Sequence, residues 1–260
     1  MKKIYLLSII ILLLSFCSNI FAQGSAGESA KYEYRSLIDM QTAGILEKGF
    51  VGITSNIMPH GVLIEKLEVG VFDNVSFGIS YGGSNIIGTG EPDWYKVPAI
   101  NIRFRLFNET IVMPAITMGF DSQGKGIYSD SLKRYAIKSP GFFAAASKNF
   151  AMLGYLSIHG TVNYSLETKD NDNFVDLNLG FEKTLGSSVS IIGEYDFALN
   201  DNNGKVFGNG NGYLNMGIRW SVGSGLTFGF DLRDLLDNKK INPSAADRAF
   251  KIEYIKNIFK

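Results

Sequence analysis

The stretch Leu156-Ser157-Ile158-His159-Gly160-Thr161-Val162-Asn163-Tyr164-Ser165-Leu166 decides the fold. Leu156, Ile158, Val162, Tyr164 and Leu166 fall on one face, and Ser157, His159, Thr161, Asn163 and Ser165 on the other. That is a period of two, the period of a β-strand. The same alternation recurs between turn signals and predicts strands near 49–57, 61–72, 74–82, 96–106, 111–120, 138–149, 154–166, 173–184, 188–199, 212–222, 225–233 and 248–258. About twelve strands is an even number, as a single-chain membrane barrel with both termini on one side requires. The connections alternate in length. Asp73-Asn74, Asn108-Glu109, Met152-Leu153, Gly186-Ser187 and Gly223-Ser224-Gly225 read as tight turns. The intervening connections 83–95, 121–137, 167–172, 200–211 and 234–247 are longer and polar, and only Met58-Pro59-His60 is short on that side. Short turns at one end and long loops at the other is the asymmetry of an outer-membrane barrel, which predicts an all-β fold with a single antiparallel transmembrane β-barrel over 49–260.

The two faces of the strands sharpen this expectation. Ile100, Ile102, Phe104 and Leu106 form one apolar stripe; Val175, Leu177, Leu179 and Phe181 another; Leu214, Met216, Ile218 and Trp220, and Leu226, Phe228, Phe230 and Leu232, two more. The opposite faces carry Asn101, Arg103 and Arg105; Asp176, Asn178 and Glu182; Asn215 and Arg219; Asp231 and Arg233; Lys251 and Glu253. A soluble sandwich would put the same polar face in water. Charges of both signs in mid-strand suit a lumen better, where they neutralise one another or hold water. Gly52, Gly78, Gly180, Gly217 and Gly229 lie on that inner face and are expected to relieve crowding in a tightly bent sheet.

The N-terminus reads as an export signal. Lys2 and Lys3 precede an apolar run from Ile4 to Phe16 and a small residue, Ala22, at the expected cut. The run is too short for a comfortable membrane span. Residues 1–22 are therefore assigned to a signal peptide and 23–48 to a periplasmic N-terminal segment. The one cysteine, Cys17, falls inside the signal, so the mature chain would carry no disulfide. A lipoprotein signal ending at Cys17 competes, with bulky Phe16 arguing against it. The formal net charge is zero and only 19% of residues are charged, which excludes a basic surface for nucleic acid. The chain closes on Ile258-Phe259-Lys260, an aromatic near the end of a last strand, as barrel-assembly machinery reads.

Three stretches carry a family likeness: Leu37-Ile38-Asp39-Met40-Gln41-Thr42-Ala43-Gly44-Ile45-Leu46-Glu47-Lys48-Gly49, Phe77-Gly78-Ile79-Ser80-Tyr81-Gly82-Gly83, and Gly119-Phe120-Asp121-Ser122-Gln123-Gly124. They resemble the YjbH-like outer-membrane proteins linked to exopolysaccharide operons, in which a Thr-Ala pair precedes the first strand. The better-known members are much longer, so this chain resembles a short, single-barrel version. The resemblance implies an outer-membrane protein serving polysaccharide export or surface assembly, with other envelope export proteins as partners, and it supplies no site residues.

Candidate chemistry is sparse. With two histidines, His60 and His159, and no mature cysteine, a zinc site of the usual ligands is not expected. His159 with neighbouring Ser and Asn is a remote candidate for a barrel-embedded hydrolase, but residues spaced along one strand lie roughly 6.6 Å apart, beyond hydrogen-bond reach. Asp170-Asn171-Asp172-Asn173 and Asn200-Asp201-Asn202-Asn203-Gly204 are oxygen-rich loops that suit either weak calcium binding or ordinary turns. The glycine-rich stretch 82–90 lacks the following helix that a phosphate loop needs. Trp94 and Tyr95 suit a sugar platform or an interfacial girdle, the girdle being preferred. The candidate lumen lining is Arg103, Arg105, His159, Glu194, Asp196, Arg219, Asp231 and Arg233. The expected function is a narrow, non-enzymatic channel or export accessory without metal or cofactor, embedded in outer-membrane lipid. The alternative is a plugged structural or adhesion barrel acting through its loops.

Overall fold

The structure is a computed structural model that describes residues 26–201, 207–240 and 246–258. The signal segment with Cys17, residues 202–206 of the second acidic loop, and Phe259 lie outside the described residues.

Among the described residues, fifteen strands follow in chain order: β1 (Phe50–Met58), β2 (Val62–Phe72), β3 (Val75–Ser84), β4 (Asp93–Trp94), β5 (Ala99–Phe107), β6 (Ala115–Asp121), β7 (Lys125–Ser129), β8 (Arg134–Ile137), β9 (Gly141–Ala151), β10 (Tyr155–Tyr164), β11 (Asp176–Thr184), β12 (Val189–Asp196), β13 (Tyr213–Gly223), β14 (Leu226–Arg233) and β15 (Asp247–Asn257). Twelve of them pair antiparallel with their neighbours, and β1 pairs with both β2 and β15, which closes the ring. Closure leaves the twelve-stranded ring without an open edge, which is what a spanning sheet needs where no water can satisfy backbone groups. The twelve ring strands are those the period of two picks out. The remaining three are loop elements: β4 pairs antiparallel with the end of β3, and β7 and β8 form a hairpin of their own.

The outward face is apolar around the ring. Ile100, Phe104, Leu177, Leu179, Ile218, Trp220 and Phe230 are all exposed. So broad an apolar circumference suits lipid rather than water. Trp94 stacks on Tyr81, an outward residue of β3, with ring centroids 5.7 Å apart, so this tryptophan belongs to the outer belt. Strands β5, β9 and β11 start three residues later than expected, and the largest shift is at β6, which starts at Ala115 rather than near Ile111. Pro114 has no N–H to donate, so the ladder begins after it, and the turn before it lengthens.

The larger difference concerns residues 26–49. Expected as a periplasmic extension, this segment lies inside the ring. It enters at the short-turn end, where the Glu28 and Ser29 N–H groups donate to the Gly186 and Ser187 carbonyls at 3.0 and 3.2 Å. It folds back on itself around Leu37–Met40: Leu37 N–H donates to Met40 O and Thr42 N–H to Arg35 O, each at 3.1 Å. It leaves beside Gly70, whose carbonyl accepts from Gly49 N–H at 3.0 Å. The physical reason is its composition. Leu37, Ile38, Met40, Ile45 and Leu46 would be costly in water and are at most 7% exposed here. Tyr34, Leu37, Ile38 and Met40 cluster against Ile192, an apolar residue on the inner face of β12. The inner glycines fit this occupant: a Cβ at Gly180 would come 2.5 Å from Leu37 Cδ1 and Met40 Sδ.

Candidate functional site

The inward charges of the ring converge on this N-terminal hairpin. Arg103 Nη1 donates to the carbonyls of Thr42 and Gly44 at 3.2 and 3.3 Å, and its Nη2 to Gln41. Arg105 Nε and Nη2 donate to Ala43 O at 3.1 and 2.8 Å, and the same guanidinium pairs with Glu33. Arg219 holds Asp231 at 2.5 Å and donates to Leu37 O at 3.0 Å. Glu194 accepts the N–H groups of Ile38, Asp39 and Met40 at 2.9, 2.7 and 3.1 Å, a cradle of three donors around one carboxylate. Arg233 grips Asp39 through Nε and Nη2 at 3.1 and 3.0 Å. The ring residues Arg103, Arg105, Glu194, Arg219 and Arg233 are each at most 8% exposed, because the hairpin fills the space a channel would need.

Several partners of this arrangement were not legible in strand periodicity. Arg35, in the hairpin itself, bridges Glu68 of β2 and Glu253 of β15 at 3.1 and 2.5 Å. Asp39 at the tip is also bound by Lys125 of β7 at 2.8 Å. The one sequence signal for an internal occupant was apolar residues on the inner faces, Ile64, Ile192 and Ile255, which a water-filled lumen does not call for.

His159 and Ser147 sit opposite one another on β10 and β9, with Ser147 Oγ 2.7 Å from His159 Nδ1. A hydrolase triad needs an acid on the second ring nitrogen and an accessible serine. Here His159 Nε2 meets no partner among the described residues, and Ala43 N–H covers Ser147 Oγ at 3.0 Å. The pair anchors the hairpin instead.

At the long-loop end the β7–β8 hairpin folds over the mouth. Arg134, 1% exposed, joins Asp170 and Asp201 at 2.6 and 2.8 Å and lies over the Phe207 ring at 4.1 Å. Lys138 adds Asp170 at 2.8 Å. The first acidic loop and Asp201 of the second thus converge on basic side chains, and among the described residues no group of three or more His, Cys, Asp or Glu side chains is arranged to hold a metal ion. Burial opposes the Asp170 charge, but hydrogen bonds from Lys138 and Arg134 outweigh it and hold its carboxyl below the usual range. Burial raises Glu167, although its carboxylate accepts the N–H groups of Tyr135 and Ser139 at 2.9 and 3.0 Å. Between this cover and the N-terminal tip lies a vestibule of about 410 Å³.

No family model matches this sequence, and no curated relative does. Among solved structures, the NanC porin in a rhombohedral crystal form is similar at 8% identity with a TM-score of 0.44, over 80% of this chain and 100% of that one. The barrel itself is established by the closed ring of strand pairings.

Proposed function

We propose that this chain is a non-enzymatic outer-membrane barrel whose lumen is closed at rest by its own N-terminal hairpin, so that solute passage requires the hairpin to leave. The observation that carries the reading is the set of hydrogen bonds from Arg103, Arg105, Arg219 and Glu194 to the backbone of residues 37–44. Backbone groups taken out of water need such partners, and here the ring supplies them. In this reading the short-turn end faces the periplasm, the export signal directs the chain to the envelope, and the assembly machinery inserts it. The polysaccharide role implied by the YjbH-like resemblance belongs to the same proposal, with the hairpin as the element an envelope partner would displace.

Single-channel recording in planar bilayers tests it. The mature chain is expected to insert without conductance steps, whereas deletion of residues 26–46 and, separately, Gly180→Leu are expected to produce them. Gly180→Leu keeps the whole chain and takes the space of Leu37 and Met40, with the Gly193 carbonyl of β12 next at 3.0 Å. Steps from the unaltered protein, or silence from both variants after insertion, would overturn the reading.

A further inference from the structure

A second, smaller cavity lies between the hairpin and the wall of β1, β2 and β15. Its volume is about 60 Å³, with Arg35, Ser36 and Gln41 on the hairpin side and Thr54, Asn56 and Lys251 on the ring side. It shares Asp39, Gln41, Ile137, Lys138 and Pro140 with the lining of the vestibule, so the two spaces adjoin beside the hairpin tip. One water needs about 10–15 Å³, so this space holds several waters, or one small ion with water around it.

Most bases around this cavity are matched. Arg35 is held by Glu68 and Glu253, Lys66 by Asp121, Lys125 by Asp39 and Lys138 by Asp170, while Arg103 donates to hairpin carbonyls. Lys251 is the exception: it is 7% exposed, yet it has no hydrogen bond or salt bridge among the described residues. Its Nζ opens onto the cavity rather than being sealed in protein. Glu253, two positions along the same face, stands roughly 6.6 Å away by strand geometry and is already engaged by Arg35. Arg35, Lys125 and Arg219 act on the ammonium with like charge.

Asn56 stands directly across the β1–β15 ladder from Lys251, and Thr54 faces the same side two positions along β1. Both line the cavity, and neither side chain makes a hydrogen bond among the described residues. A buried ammonium without a counter-charge is costly, and an ammonium, an amide N–H and a hydroxyl around one small space are the donors an anion needs. We propose that this cavity binds one small monovalent anion, of the size of chloride, nitrate or formate, through Lys251, Asn56 and Thr54. The hairpin is the cavity's inner wall, so the site rests on the closed-barrel reading and exists only while the hairpin is seated. A bound anion therefore favours the seated hairpin by mass action.

The test is chloride magnetic resonance on the full mature chain in micelles of uncharged detergent. The chloride line is expected to broaden saturably, to sharpen when nitrate or formate displaces the ion, and to lose that saturable part in Lys251→Met. Lys169→Met, at an exposed loop lysine, is expected to leave it unchanged. Trypsin cleavage after Arg35, compared in sodium chloride and in sodium gluconate at equal ionic strength, reads the coupling to the hairpin. Chloride at about ten times its Kd is expected to slow cleavage about tenfold in the unaltered protein and not in Lys251→Met. Absence of saturable broadening while Arg35 resists trypsin would overturn the anion site and leave the closed barrel standing. Saturable broadening that survives in Lys251→Met would do the same. Rapid cleavage after Arg35 of the unaltered protein in both salts would overturn both readings, because the cavity would then lack its inner wall.

Discussion

At the scale of the residue, the inner charges act as hydrogen-bonding equipment for a second piece of chain. Glu194 is the clearest case, because its carboxylate accepts three successive N–H groups at the hairpin tip and the Asn215 side chain at 2.9 Å. Hydrogen bonds to a charged group contribute about 1.5–3 kcal/mol each against loss of the partner. Glu194→Gln keeps the shape, removes the charge and turns an amide donor toward other donors. Seating of the hairpin is expected to weaken by about 1.5–3 kcal/mol. Trypsin cleavage after Arg35, which is 5% exposed when seated, reads this directly, and an unchanged cleavage rate would refute it. Gly44 makes a related point: a Cβ there would overlap Tyr34 O across the hairpin, so Gly44→Val is expected to expose Arg35 as well.

At the scale of the element, the β7–β8 hairpin is held by charge on one side and by an apolar cluster on the other, where Tyr135 packs on Tyr95 and Tyr128. Arg134 is its latch, so Arg134→Ala leaves Asp201 without its guanidinium and Asp170 with Lys138 alone. Amide exchange at Tyr128 and Tyr135, paired in the hairpin, is expected to quicken at least about tenfold while ring strands stay protected. The pH response has two signs. Asp170 is depressed, so its contribution is complete above the ordinary aspartate value of about 3.9 and is lost as pH falls through the depressed value. Glu167 and Asp201 are raised by burial, so their contribution is complete below the ordinary carboxylate range and declines as pH rises through the raised values. Protection of the hairpin is therefore expected to peak in mild acid and fall on both sides. Exchange measured across pH, with Glu167→Gln reducing the decline toward neutral pH, checks this.

At the scale of the whole molecule, the proposed membrane setting makes the outer face of the ring the one that meets lipid. Leu179 is 55% exposed in the middle of β11 and faces outward. In a protein dissolved in water an arginine there would be nearly neutral, but near a bilayer midplane it costs about 2–4 kcal/mol. Leu179→Arg is thus expected to lower folding stability in lipid vesicles by that amount, as read from urea titration of vesicle-folded protein. A change within about 0.5 kcal/mol would place this face in water instead.

Strand number, the inward and outward faces and the alternation of short and long connections were legible because they depend on neighbours along the chain, and Leu156–Leu166 or Ala99–Phe107 carries its period of two wherever it lies. The inward orientation of Arg103, Arg105, Arg219 and Arg233 followed from the same parity. What those side chains touch did not, because Arg35 meets Glu253 across 218 positions and Asp39 meets Arg233 across 194. Local pattern cannot say that the apolar segment 37–46 finds its cover inside a ring that closes only when β1 meets β15. Closure of that lumen, the vestibule above it and the latch over its mouth were decided by tertiary structure alone, since each is a meeting of residues that only the completed ring brings together.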